Sequence, residues 1–131
     1  MADSILLVDD NEDFLTAGRD FLASQGYHVC TASNGEQALQ TVAAQPPDII
    51  LMDVMMPRMD GWETLKALQA DEQTAHIPVL MLTALRGSAP VKTSFDHGSI
   101  WFYAKPITDY HDLLLVIRRI LDQKQQAQDD Q

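Results

Sequence analysis

Five short apolar runs punctuate the chain: Ser4–Val8, His28–Ala32, Asp48–Asp53, Pro78–Thr83 and Ile100–Ala104. Most do not alternate polar with apolar. Continuous apolar runs of this length fit strands buried on both faces, as in a parallel sheet. Between them lie stretches with helical spacing. In Glu12–Gln25, Phe14, Ala17, Gly18, Phe21 and Leu22 form an apolar stripe. Ser33-Asn34-Gly35-Glu36 reads as a capping box opening a helix that runs to Gln45, before Pro46-Pro47. Asp60-Gly61-Trp62-Glu63 opens another, to Asp71. Asp109–Gln123 carries Leu113, Leu114, Ile117, Ile120 and Leu121 on one face. Gly87–His97 predicts a short helix starting near Pro90, since a first-turn proline is tolerated.

Strand followed by helix, five times over, predicts an α/β three-layer sandwich: a five-stranded parallel sheet with five helices and right-handed crossovers. The chain has 131 residues, 46% of them apolar and 21% charged, which suits one globular domain. That domain is expected over residues 1–122. Residues 123–131 are Gln-rich and acidic and read as a frayed helix end or linker stub.

Composition removes several classes of function. The longest strictly apolar runs, Leu113–Ile117 and Ile100–Ala104, are five residues each, against the roughly 20 that a membrane span needs. Asp3, with no early Lys or Arg, argues against a secretory signal. Cys30 is the single cysteine, so no internal disulfide framework exists, and its place in the second strand suggests a small buried hydrophobe. The expected compartment is the cytoplasm. Nine basic and 19 acidic residues give a net charge of −10. Residues 1–85 hold 13 of the acids and 3 of the bases. Such a surface disfavours nucleic acid and anionic membranes.

The candidate chemistry sits at the ends of the predicted strands. Asp9 and Asp10 follow the first, Asp53 ends the third, Thr83 ends the fourth and Lys105 follows the fifth. In an open parallel sheet the C-terminal strand ends form the ligand crevice. Three carboxylates there raise at least one pKa unless a cation relieves them. Mg²⁺, which takes a few carboxylate oxygens and often shares its shell with phosphate, suits that position. Lys105 offers an ammonium and Thr83 a hydroxyl. Together these make the outline of a phosphoryl-transfer site with a carboxylate acceptor. Taken singly each has a plainer reading: turn former, cap or strand residue.

With these positions in place, the sequence resembles the receiver domain of bacterial two-component response regulators, similar to single-domain chemotaxis-type receivers. The resemblance rests on Ile5–Glu12, on Asp53-Val54-Met55-Met56-Pro57-Arg58-Met59-Asp60-Gly61, on Pro78–Ala84 and on Lys105-Pro106. It covers residues 4 to about 122. It implies a flavodoxin-like sheet of order 2-1-3-4-5 and a switch that is not an enzyme beyond its own phosphorylation and dephosphorylation. By resemblance, Asp53 is the phosphoryl acceptor, receiving the group from a sensor histidine kinase or a histidine phosphotransfer protein. Asp10 binds Mg²⁺ directly, Asp9 largely through water, and the Met55 carbonyl adds a ligand. Thr83 and Lys105 contact the phosphoryl group, and Ala84 leaves room for Thr83 to turn. Pro106 follows a cis bond, and Phe102 holds the aromatic switch position. The implied output is a downstream protein, or a second copy, bound at the face of the fourth helix, fifth strand and fifth helix. That face departs from the common pattern at Gly98–Phe102, Ile107 and Pro90.

Other readings stand beside this one. The chain can equally be a receiver from a longer DNA-binding regulator or hybrid kinase. A haloacid-dehalogenase-like phosphatase needs a second aspartate where Met55 stands. A flavodoxin-like FMN binder needs a Ser/Thr/Gly-rich loop where Asp9-Asp10-Asn11-Glu12 stands. His28, His76, His97 and His111 have no metal-ligand spacing. Leu15, off the first helical stripe, is either a stray surface residue or a kinase-docking contact. Trp101, beside Phe102, has a better claim to a partner face than Trp62.

Overall fold

A computed structural model describes residues 3–56, 59–83, 91–95, 98–105, 107 and 109–129. The elements in order are β1 (Ser4–Val8), α1 (Glu12–Ser24), β2 (His28–Ala32), α2 (Gly35–Ala44), β3 (Ile49–Asp53), α3 (Gly61–Ala70), β4 (Val79–Thr83), β5 (Val91–Phe95), β6 (Gly98–Ala104) and α4 (Tyr110–Asp129). One sheet runs β2-β1-β3-β4-β6-β5. Its first five strands are mutually parallel, giving the expected 2-1-3-4-5 order and flavodoxin-like fold.

Each central strand is buried on both faces because its side chains alternate between two cores. Ile5, Leu7, Ile49, Leu51, Leu80 and Leu82 pack under α1 and α4 with Leu22, Leu113, Ile117 and Ile120. Leu6, Val8, Ile50, Met52, Val79, Met81 and Ile100 pack under α2 and α3 with Ala38, Val42, Leu65 and Leu68. Each fully buried aliphatic side chain contributes about 1.5–3 kcal/mol by leaving water. Among the described residues, no helix is long and apolar enough to cross a membrane.

The helices start and stop where local chemistry dictates. Asn11, Asn34 and Asp60 are the N-caps, accepting from the backbone N–H of Phe14, Gln37 and Glu63. The box at α2 is therefore one residue later than Ser33 implied: Asn34 is the cap, and Gln37 accepts in return from the Ser33 N–H and hydroxyl. Gly26, at φ 97°, ends α1. Its N–H bonds Ala23 and that of Tyr27 bonds Leu22, a Schellman closure that favours glycine. At the opposite sheet edge, the Asp48 carboxylate accepts from the Ser4 N–H and hydroxyl and from Lys124. Burial pushes the Asp48 carboxyl up, but those donors outweigh it and hold the group below its usual range.

Four further expectations need correction. The helix expected within Gly87–His97 is a strand instead: β5 pairs antiparallel with β6, so four helices, not five, stand among the described residues. Val91, Thr93 and Phe95 alternate with Lys92 and Ser94, a period-two pattern of β-branched and aromatic residues that outweighs the first-turn proline argument. In α1 the buried face is Leu15, Gly18 and Leu22, with Ala17 exposed, so Leu15 is core and not surface. Trp101 is 8% exposed and Cys30 is exposed: the indole faces the α4 core, while β2 is an edge strand with solvent on one side.

Candidate functional site

The C-terminal ends of the parallel strands converge because neighbouring strands are in register and tied just beyond their ends. The Asp9 N–H bonds the Ala32 carbonyl at 3.1 Å, Val54 bonds Leu82 at 3.0 Å, and Lys105 bonds Thr83 at 2.6 Å. These bonds bring Asp9, Asp10, Asp53, Thr83 and Lys105 to one edge, as their positions in the sequence predict.

Ligand oxygens of Asp9, Asp10 and Asp53 lie within 4.8 Å of one another. Asp9 and Asp53 are buried and Asp10 is exposed. Asp9 is further committed, since its Oδ1 accepts from the Asn11 N–H at 2.9 Å while its Oδ2 meets Lys105 Nζ at 2.8 Å. The same Nζ is 3.6 Å from Asp53 Oδ2 and 4.9 Å above the Phe14 ring. Burial, and then the neighbouring Asp9, push the Asp53 carboxyl above its usual range; Lys105 and the Met55 N–H act the other way. The Met55 N–H reaches Asp53 Oδ1 at 3.3 Å, and the Met55 side chain is 74% exposed.

The donor set is all oxygen and doubly buried at two of three positions. Among the described residues, one ammonium opposes three carboxylates, leaving an excess of negative charge where a hard divalent cation fits. Thr83 is buried at the end of β4, beside Ala104 of β6. Ala84 and Pro106, which the resemblance places in the switch, lie outside the described residues, as do Pro57, Arg58 and Pro90.

Phe102 is half-buried on the α2–α3 face of the sheet. Its ring centroid is 5.7 Å from that of Trp62, tilted by 45°. Such pairs contribute about 0.5–1.5 kcal/mol beyond their area. Sequence reasoning missed this contact, and it missed Phe14 beneath Lys105. The available signals were positional: Trp62 directly follows the Asp60-Gly61 pair, and Phe14 begins the first helical stripe.

Comparison with known proteins agrees with this geometry. The family described as the response regulator receiver domain matches residues 5–118. The response regulator PleD of Caulobacter vibrioides is 42% identical over 109 residues, covering 83% of this chain and 24% of PleD. The chain thus spans about a quarter of that relative's length. The polar-differentiation response regulator DivK of Brucella anthropi is 33% identical over 108 residues, 82% of this chain and 88% of DivK. Among solved structures, the receiver domain of the sensor histidine kinase PA1611 from Pseudomonas aeruginosa PAO1 superposes with a TM-score of 0.76 at 29% identity. It covers 93% of this chain and 99% of that one, and has a magnesium ion coordinated in its active site cleft.

Proposed function

The chain belongs to the response regulator receiver domain family, and on that premise we propose that it is a cytoplasmic phosphorylation switch whose acceptor is Asp53. The observation that carries this reading is the three-carboxylate cluster with Lys105 Nζ between Asp9 and Asp53. An Asp53 carboxylate oxygen forms the new O–P bond as the donor's P–N bond breaks, and the electron pair leaves with the donor imidazole. The donor is a histidine kinase or a histidine phosphotransfer protein; a small acyl phosphate, losing a P–O bond, serves in vitro. Asp9, Asp10, Asp53 and the Met55 carbonyl would hold Mg²⁺. Bound there, the ion would offset charge on the phosphoryl oxygens.

The remaining roles fall to the chain's own groups. Lys105, anchored by Asp9, presents its ammonium to the incoming oxygens. The Met55 N–H keeps one Asp53 oxygen oriented, leaving the other for attack. Thr83 sits one strand over, where its hydroxyl can meet the phosphoryl group and draw in the backbone that follows. Phe102, with no hydroxyl to leave unsatisfied, can change rotamer at low cost, so phosphorylation shifts a population already present. Residues 1–122 act as the receiver, and α4 continues past them to Asp129. The domain turns over no separate substrate. Its output is a protein, or a second copy, bound at the face that includes β6 and α4.

Mass spectrometry after incubation with Mg²⁺ and acetyl phosphate tests the assignment. One added phosphoryl group is expected on the parent chain and none on Asp53→Asn. Labelling of Asp53→Asn at the parent rate overturns it. Asp10→Asn is expected to weaken Mg²⁺ binding first, with labelling falling as a consequence. Thr83→Ala is expected to be labelled yet respond less in tryptophan fluorescence.

A further inference from the structure

The backbone beside Asp53 is in contact with the start of α3. The Gly61 N–H bonds the Val54 carbonyl at 2.9 Å. A Cβ at Gly61 would lie 2.5 Å from the Asp53 carbonyl oxygen and 2.9 Å from Val54 Cα, so the two backbones touch with no side chain between them. The next residue, Trp62, reaches across to Phe102 on β6, ring to ring. Trp62 is 41% exposed, so the core does not account for its position, whereas its ring contact with Phe102 does. A displacement of the Asp53–Val54 backbone is therefore carried through one hydrogen bond and one residue to an indole resting on Phe102.

We infer that Trp62 is a positioning residue that holds Phe102 in its resting rotamer and reports the state of Asp53 both to Phe102 and to the surface at the start of α3. This rests on Asp53 being the acceptor. It adds a route through α3, separate from the one through Thr83, and makes the exposed indole part of the surface that changes. Because coupling between two sites is reciprocal, Trp62 must also affect how readily Asp53 takes a phosphoryl mimic. The resting contact favours the unmodified state, so removing it favours the modified one.

One fluorine NMR experiment reads both ends. The chain is labelled with fluorotryptophan, and Trp62→Phe identifies the Trp62 resonance. Beryllofluoride and Mg²⁺ are then added, and bound beryllofluoride gives its own fluorine signal. The expected result is a shifted Trp62 resonance in the parent and a shift that persists in Phe102→Ala, because Trp62 lies between Asp53 and Phe102 on this route. Trp62→Ala is expected to bind beryllofluoride about fivefold more tightly, and Trp62→Phe, which keeps a ring against Phe102, to stay within about twofold of the parent. Bound beryllofluoride with an unmoved Trp62 resonance overturns the inference. So does loss of the Trp62 shift in Phe102→Ala, or parent-like or weaker binding by Trp62→Ala. No bound beryllofluoride in the parent overturns the acceptor assignment and this inference together.

Discussion

Lys105 Nζ stands 2.8 Å from Asp9 and 3.6 Å from Asp53, so the ammonium is held by the carboxylate that is not the proposed acceptor. Two consequences follow from that asymmetry. The ammonium is fixed before any phosphoryl group arrives, and it competes with Mg²⁺ for the oxygens of Asp9.

Lys105→Met is therefore expected to bind Mg²⁺ more tightly than the parent, by several-fold, because a competing cation is gone from a cluster of three carboxylates. The same variant is expected to bind beryllofluoride at least about tenfold more weakly, since a charge-assisted contact contributes roughly 1.5–3 kcal/mol. Isothermal titration with each ligand separates the two effects. Weaker Mg²⁺ binding in Lys105→Met would show that the ammonium organises the metal site and does not compete with it.

The close approach at Gly61 gives a stability prediction. In Gly61→Ala the new methyl would meet the Asp53 carbonyl oxygen at 2.5 Å and the Met81 methyl at 2.8 Å. The methionine can swing away, but the backbone oxygen cannot, so the start of α3 must shift. A loss of about 1–3 kcal/mol is expected from this overpacking. Urea unfolding of the parent and the variant measures it. Slower phosphorylation should accompany it, because the strained atom belongs to the acceptor. Parent-like stability would mean the α3 start yields freely.

How much of this was legible in the sequence depends on what each residue's neighbours are. Ile5–Val8, Ile49–Met52 and Val79–Leu82 are uniformly apolar because both sheet faces are covered; that pattern, alternating with helical stretches, pointed to a parallel sheet with Asp9, Asp53, Thr83 and Lys105 at one edge, while the order 2-1-3-4-5 came from the family resemblance. Leu15 and Trp101 were misplaced because burial depends on which way an element is rotated against its neighbour. A stripe through Phe14 and Phe21 and one through Leu15 and Leu22 are both acceptable helical patterns, and only the sheet beneath selects between them. β5 was misread because Pro90 argued for a helix start while Val91-Lys92-Thr93-Ser94-Phe95 carried the competing two-residue period. The Trp62–Phe102 contact joins residues 40 positions apart, and no local pattern encodes it.

Met55 bears on the lifetime of the modified state. Its side chain is exposed and apolar, two residues beyond Asp53, and cannot orient water by a hydrogen bond. Met55→Glu places a proton acceptor there. A well-positioned general base accelerates by about 10²–10⁴-fold; a side chain as exposed as this one is loosely held, so about tenfold faster phosphate release is expected. Release from the phosphorylated chain, followed by a phosphate-binding reporter, measures it. An unchanged rate would mean that attacking water does not pass this position.

The last prediction concerns how α4 is fastened to the sheet. The Tyr103 hydroxyl on β6 donates to Asp112 Oδ2 in the first turn of α4. Burial, then the bond to Asp112, then the charges of Asp112 and Asp109 push the phenol up to about 12. Ionising it both breaks the bond and places a second negative charge beside Asp112. A folded-state pKa above the unfolded value of 10 means the contribution is fully present below pH 10 and is lost as the pH rises through about 12. In the neutral range Tyr103→Phe is expected to cost only about 0.5 kcal/mol, the lower end for a hydrogen bond, because the pair is partly exposed. The stability difference between the parent and Tyr103→Phe should hold constant up to pH 10 and shrink above it. Tyrosinate absorbance should show one late-titrating phenol that disappears in Tyr103→Phe and moves earlier, though not fully to 10, in Asp112→Asn, since burial and Asp109 remain. If the late phenol persists unchanged in Asp112→Asn, the bond to Asp112 is not a cause of the shift and α4 is held to β6 by its apolar face alone.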